Sequence, residues 1–135
     1  MSYMFYTGSE AVMECKIEGM AIEVIIDSGA GANMITLDTW NKLKEGNIMV
    51  KRQMIGSDRD FFAYGQQQPI KVVGSFEATV TVGKAMVDAM FYVVKHAKQN
   101  LLSKKTSEQL GVLKVGIINQ LAMELKEFPK VNLTT

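Results

Sequence analysis

The chain has 135 residues, of which 47% are hydrophobic and 21% charged, and its net charge is +1. That is the composition of one globular domain with a modest core, and so little net charge gives no basic surface for nucleic acid or for a membrane. The single cysteine and single histidine exclude an internal disulfide framework and any Cys-cluster metal site.

Residues 1–10 read as an N-terminal arm, with mixed aromatics and a Gly8-Ser9 turn signal. From residue 11 the pattern alternates: Met13, Cys15 and Ile17 share one face, Glu14, Lys16 and Glu18 the other. This is a half-buried strand, with Cys15 a small core residue rather than a nucleophile. Gly19-Met20 is a hairpin turn, and residues 21–26 return as a second strand.

That second strand ends in an unusual way. The apolar run Val24-Ile25-Ile26 leads straight into Asp27-Ser28-Gly29-Ala30. An acid at the end of a buried strand is costly unless it is paired or shares a proton. Ser28 offers a hydroxyl to lock a turn, and Gly29 allows close approach of backbone. The plain alternative is an acid that caps a turn.

After this small-residue loop, residues 33–35 recover a strand. Thr36 is suited to N-cap a helix over 37–44 that Gly46 ends, with Trp40 as a core anchor. Residues 48–52 read as a further strand, and 56–60 as a polar connection. Residues 61–64 and 70–74 form the arms of a hairpin around a Gly65-Gln66-Gln67-Gln68-Pro69 tip.

Phe76, Ala78, Val80 and Val82 alternate with Glu77, Thr79 and Thr81, a half-exposed strand that Gly83-Lys84 turns back. In 85–94 the alternation blurs, as it does in a strand covered on both faces. Asn100-Leu101-Leu102-Ser103 follows a polar loop. Ser103 can N-cap a helix over 104–110, with Gly111 as its stop. Residues 112–118 are strand-like. The tail, 119–135, carries a helical pattern over 120–127 that Pro129 interrupts. The chain therefore divides into the arm, a β-rich domain over 11–118, and the tail.

Other chemistries find little support. His96, beside Lys95 and near Lys98, reads as a solvated loop residue, so Ser-His-Asp and Cys-His devices are disfavoured. Neither a Walker-type phosphate loop nor a GxGxxG fingerprint is present. The ten methionines read as flexible core filling. No apolar run approaches the roughly 20 residues that span a bilayer, and the N-terminus lacks a signal-peptide pattern. The expectation is a soluble cytoplasmic domain without metal or cofactor.

Three separated pieces together resemble the retropepsins, the aspartic proteases of retroviruses and gypsy-type retrotransposons. Ile25-Ile26-Asp27-Ser28-Gly29-Ala30 matches the signature of two hydrophobic residues, Asp, Ser or Thr, Gly and Ala. The hairpin from Ala63-Tyr64-Gly65-Gln66 to Gly74 sits where that family has its flap. Asn100-Leu101-Leu102-Ser103 and its helix resemble the apolar-apolar-Gly motif before the family's C-terminal helix, in a style closest to the gypsy-type branch. An Asp-Ser/Thr-Gly triplet alone arises by chance in about one such chain in twenty, so the order of all three pieces, over roughly residues 11–115, carries the resemblance.

The resemblance implies an all-β, retropepsin-like closed barrel with one or two short helices. It also implies a homodimeric endopeptidase that processes a retroelement Gag-Pol polyprotein, in the cytoplasm or within virus-like particles. A two-carboxyl mechanism needs two acids, and only one Asp-Ser-Gly is present, so the partner would be a second copy of the chain. Asp27 would be catalytic, with Ser28, Gly29 and Ala30 supporting its loop. Tyr64, Gly65 and Gln66 would form the flap, and Ile35 and Leu101 would line substrate pockets. The rival reading is a domesticated host module of the same fold that dimerises or binds peptides without cutting them. Two departures bear on this choice. Ser103 replaces the usual glycine after the apolar pair, which implies altered packing beneath the loop. Gly31 stands where retroviral members often carry an acid that grips substrate backbone.

Overall fold

A computed structural model describes residues 11–57, 59–62 and 66–113. The arm (1–10) and the tail (119–135) lie outside the described residues, as does most of the strand expected over 112–118. The described chain is mostly β, with seven strands and two short helices.

β1 (Val12–Ile17) and β2 (Met20–Ile26) form an antiparallel hairpin in which Ile17 faces Met20. The turn is Glu18-Gly19, one residue earlier than expected. Both residues have positive φ, 48° and 86°, the pair of left-handed conformations that a two-residue turn needs to follow the strand twist. Glycine supplies one of them without strain.

β3 (Asn33–Thr36) leads directly into α1 (Leu37–Glu45). Thr36 caps this helix as expected: its side-chain oxygen accepts from Thr39 N at 3.0 Å. Asp38 in the first turn and Lys42 and Lys44 in the last complement the helix dipole. The helix buries Leu43 and stacks half-buried Trp40 on Phe76, ring centroids 4.6 Å apart.

β4 is Arg52–Ile55, not 48–52. Ile48 and Val50 are instead partly buried against the core, and the strand proper is an exposed edge paired with the next one. Side-chain patterning favoured the residues that pack. Backbone pairing uses their successors.

β5 (Val72–Val82) and β6 (Ala85–Val94) form the longest hairpin. Phe76, Ala78 and Val80 are buried, with Glu77, Thr79 and Thr81 partly exposed between them. All four residues of 91–94 are buried, so that half of β6 is covered on both faces as expected, whereas Met86 and Asp88 in its first half are exposed. β7 (Leu101–Leu102) precedes α2 (Lys104–Gln109).

The seven strands make one mixed sheet in the order β1-β2-β7-β3-β6-β5-β4. β1 also pairs with β5 through Lys16 and Ile17, so the pairing returns to the strand where it began. The core enclosed by this arrangement includes Ile17, Val24, Ile26, Phe76, Phe91 and Leu102. Phe76 and Phe91 stack at 5.4 Å. Burial of such side chains stabilises by about 1.5–3 kcal/mol each.

Candidate active site

β2 delivers Asp27 to the rim of the sheet. Its last residues pair in parallel with β7, Ile25 with Leu101 and Ile26 with Leu102. Backbone bonds continue the ladder past the strand: Ile25 N donates to Asn100 O at 2.8 Å and Asp27 N to Leu102 O at 3.1 Å. The residue expected to react therefore has its own backbone tied to the sheet.

From there the loop folds on itself. Ala30 N donates to Asp27 O at 3.0 Å, and Gly29 N donates to Asp27 Oδ1 at 2.9 Å. The second bond fixes the orientation of the carboxyl. A Cβ at Gly29 would lie 3.4 Å from that same oxygen, an ordinary contact, so the glycine leaves the backbone open rather than relieving a clash. Asp27 is half-buried, whereas Ser28 and Gly29 are exposed. The loop thus presents a carboxyl, a hydroxyl and open backbone on one surface, beside a shallow cavity lined by Ser28, Gly29, Ala30, Gly31 and α2.

A residue that sequence reasoning missed holds the loop from below. Asn33 is 4% exposed and spends its whole amide on three bonds. Its Nδ2 donates to Met90 O at 3.0 Å and to Thr106 Oγ1 at 2.9 Å, and its Oδ1 accepts from Ser103 N at 2.8 Å. One side chain thereby joins β3, β6 and α2 behind the Asp27 loop, and Lys104 N donates to Ala30 O at 3.2 Å on the other side. The available signal was a polar residue opening an apolar run, Asn33-Met34-Ile35. Its partners lie up to 73 residues away, so the pattern alone named none of them.

Ser103 is buried, and its hydroxyl accepts from Thr106 N at 3.2 Å, capping α2 as expected. A glycine there would leave this N–H to find another partner, so the departure from the glycine motif has a local use. Gly31 is exposed, with nothing within 4 Å of where a Cβ would stand. The space for an acidic side chain is present and unfilled.

The remaining expected site residues are dispersed. Ile35 is wholly buried in the core cluster, so in the isolated chain it lines no open pocket. The strand pattern identified Ile35 as apolar but could not say which face β3 would turn outward. Leu101 is half-buried, paired with both Ile25 and Met34. Tyr64 and Gly65 lie outside the described residues, and Gln66 is exposed. The described arms on either side begin earlier than expected. β4 pairs with β5 from Arg52–Glu77 to Ile55–Gly74, Gly56 N reaches Val73 O at 3.0 Å, and an isolated bridge joins Phe62 to Pro69 further out. Gly74 is needed at the base of these arms, because a Cβ there would come 2.8 Å from Met54 O.

With this geometry, the solved structures with similar backbones are informative. EIAV protease, in complex with the inhibitor HBY-793, superposes with a TM-score of 0.66 at 17% identity, covering 84% of this chain and 99% of that one. The fold is that of a retropepsin-like aspartic protease. A retropepsin-like aspartic protease from Rickettsia conorii gives 0.55 at 15% identity, covering 76% of this chain and 74% of the other. The retroviral protease-like domain of Ddi1 from Leishmania major gives 0.52 at 14%, covering 75% and 77%. Compared with protein-family profiles and with curated proteins, the chain matches none. At these identities the likeness concerns fold.

Proposed function

We propose that this protein is a homodimeric aspartic endopeptidase that cleaves extended peptide segments, of the kind that matures a gypsy-type retroelement polyprotein in the cytoplasm or inside virus-like particles. The observation that carries this reading is the Asp27 carboxyl, oriented by Gly29 N–H at 2.9 Å on an otherwise exposed loop, within a fold shared with such proteases. A turn-capping acid explains the hydrogen bond. It does not explain why a hydroxyl and open backbone share the same surface.

In the proposed dimer, Asp27 of each protomer meets its counterpart on the two-fold axis. Two carboxyls about 3 Å apart cannot both ionise, so the pair holds one proton. The ionised member takes a proton from a water between them while the protonated member hydrogen-bonds the scissile carbonyl. The water oxygen bonds to the carbonyl carbon, giving a tetrahedral diol. The C–N bond then breaks as the amine nitrogen receives a proton, and the acid and amine products leave. Ser28, whose hydroxyl is exposed beside the carboxyl, ties the two loops together across the axis. The hairpin that carries Tyr64, Gly65 and Gln66 closes over a substrate bound as an added strand and excludes water.

The test is cleavage of an unstructured protein substrate between pH 4 and 7, by wild type and by Asp27→Asn. We expect loss of at least about a thousandfold in kcat with unchanged thermal stability. Specific activity should fall on dilution as the dimer dissociates. Cleavage that Asp27→Asn leaves intact would sink the assignment. Tight dimers that bind peptide without cutting it would favour the domesticated binding module.

A further inference from the structure

Beside the Asp27 loop lies a second cavity of about 290 Å³ whose floor includes Gly31, Ala32 and Asn33 and whose walls include Arg59, Tyr92 and Lys105. Gly31 and Lys105 also line the cavity next to Ser28 and Gly29, so the two form a continuous surface. A peptide side chain projecting from a segment laid along the loop would enter this space.

Arg59 gives the cavity its character. It stands on the outer arm of the β4–β5 hairpin, with its guanidinium carbon 4.6 Å from the Phe61 ring centre and 5.7 Å from that of Tyr92. The two rings themselves pack edge to face at 4.8 Å. Stacking on aromatic faces holds a planar guanidinium while leaving its edge N–H groups free for another partner. Among the described residues, Arg59 makes no salt bridge. The carboxylate that shares the cavity, Asp88, is already engaged: its Oδ1 accepts from Thr79 Oγ1 at 2.8 Å and lies 3.9 Å from Lys51 Nζ. Lys105 adds a second positive charge, and Gly31 adds no acid to oppose them.

We propose that this cavity is a specificity subsite for a carboxylate side chain of the peptide, Glu or Asp, with Arg59 as its principal partner and Lys105 as a secondary one. The inference rests on the endopeptidase reading, because it needs a peptide lying along the Asp27 loop. Arg59 can meet a carboxylate with paired N–H groups in the plane of the guanidinium. The positive cavity also repels a lysine or arginine side chain. Because Arg59 is held on Phe61 and Tyr92, its place in the cavity depends on that aromatic contact.

The experiment is a positional-scanning octapeptide library in which each position in turn is fixed as Glu, Gln or Lys, compared by kcat/KM. We expect one position at which Glu exceeds its isostere Gln by about tenfold, with Lys the poorest. Arg59→Gln should bring the Glu:Gln ratio to within twofold of unity, whereas Arg59→Lys should retain part of it, which separates lost charge from lost folding. Cleavage with no such preference, or with a preference that Arg59→Gln leaves unaltered, overturns the subsite and leaves the endopeptidase reading standing. If nothing is cleaved, that reading fails on its own. The subsite is then decided by fluorescence anisotropy of labelled Glu- and Gln-fixed pools on the unmodified protein, where equal binding overturns it and an Arg59-dependent Glu preference upholds it.

Discussion

The Asp27 loop and the hairpin beyond Gly56 are both loops that would face a substrate, yet they are held in opposite ways. The loop is pinned by backbone bonds on both sides, Asp27 N to Leu102 O and Lys104 N to Ala30 O, and Asn33 braces it from the interior. Among the described residues, the hairpin beyond Gly56 shows one bridge, Phe62 to Pro69, a short Ile70 N to Phe61 O bond at 2.6 Å, and a tie from Lys95 N to Lys71 O at 3.0 Å near its base. Its tertiary hold is aromatic, through Phe61 on Tyr92. A group that must be placed within a fraction of an ångström belongs on the first kind of support. A cover that must open for every substrate belongs on the second.

The largest effect that contrast predicts concerns Cys15, which lies in the rigid part. Burial, with a smaller contribution from Glu14, pushes its thiol from 9.0 up to about 12. At pH 9 the native chain should therefore carry about five-hundredfold less thiolate than the unfolded chain, and alkylation should follow unfolding. The same shift sets a sign for stability. Because the folded state holds its proton to higher pH, the contribution of this thiol is complete below pH 9 and is lost as pH rises toward 12. Chemical denaturation of wild type and Cys15→Ala across that range should show the extra alkaline loss only in wild type. Rapid alkylation of native protein at pH 9 would mean that β1 opens locally, and the contrast with the hairpin would weaken.

Next comes Asn33. Replacing it with the near-isosteric Leu leaves the Ser103 N–H, the Met90 carbonyl and the Thr106 hydroxyl without their partner. With about 1–3 kcal/mol for each unsatisfied buried group and some relaxation, a loss of about 3 kcal/mol is expected in urea denaturation. Hydrogen exchange should quicken at Asp27, Ala30 and Ser103 and stay unchanged at Gln66 to Gln68. Equal acceleration in both regions would show that they unfold as one unit.

The sequence displayed the first region far better than the second. The alternation of Met13, Cys15 and Ile17 and the run Val24-Ile25-Ile26 announced β1 and β2, because every second side chain, or every side chain, meets the core. Thr36 and Ser103 announced both helix starts because capping is local chemistry within three residues. What was hidden depends on distance along the chain. Asn33 looked like one polar residue in a strand until its partners arrived from β6 and α2. β4 was misplaced because Ile48 and Val50 are the apolar residues there, while Arg52–Ile55 pairs by backbone with side chains exposed. Arg59 carries no pattern at all, since its two aromatic neighbours stand 2 and 33 positions away.

The smallest effect, and the one that separates the two regions most directly, belongs to Phe61. Its ring contributes the edge-to-face contact with Tyr92 at 4.8 Å and lies under Arg59 at 4.6 Å, but it is only half-buried and stands outside the core. An aromatic pair of this kind contributes about 0.5–1.5 kcal/mol beyond burial, so Phe61→Ala should cost about 1–2 kcal/mol, of which the pair term is about 1. That energy holds the hairpin down, so its loss shifts the hairpin toward open forms rather than unfolding the sheet. Substrate binding that requires closure is then weakened by the fraction of closed protein lost, a rise in KM of about fivefold for about 1 kcal/mol. Asp27 itself is untouched, so kcat should change less than KM. Steady-state kinetics alongside urea denaturation gives both numbers. A fall in kcat with KM unchanged would mean that the aromatic contact supports the catalytic loop after all, and that the hairpin and the loop are one mechanical unit.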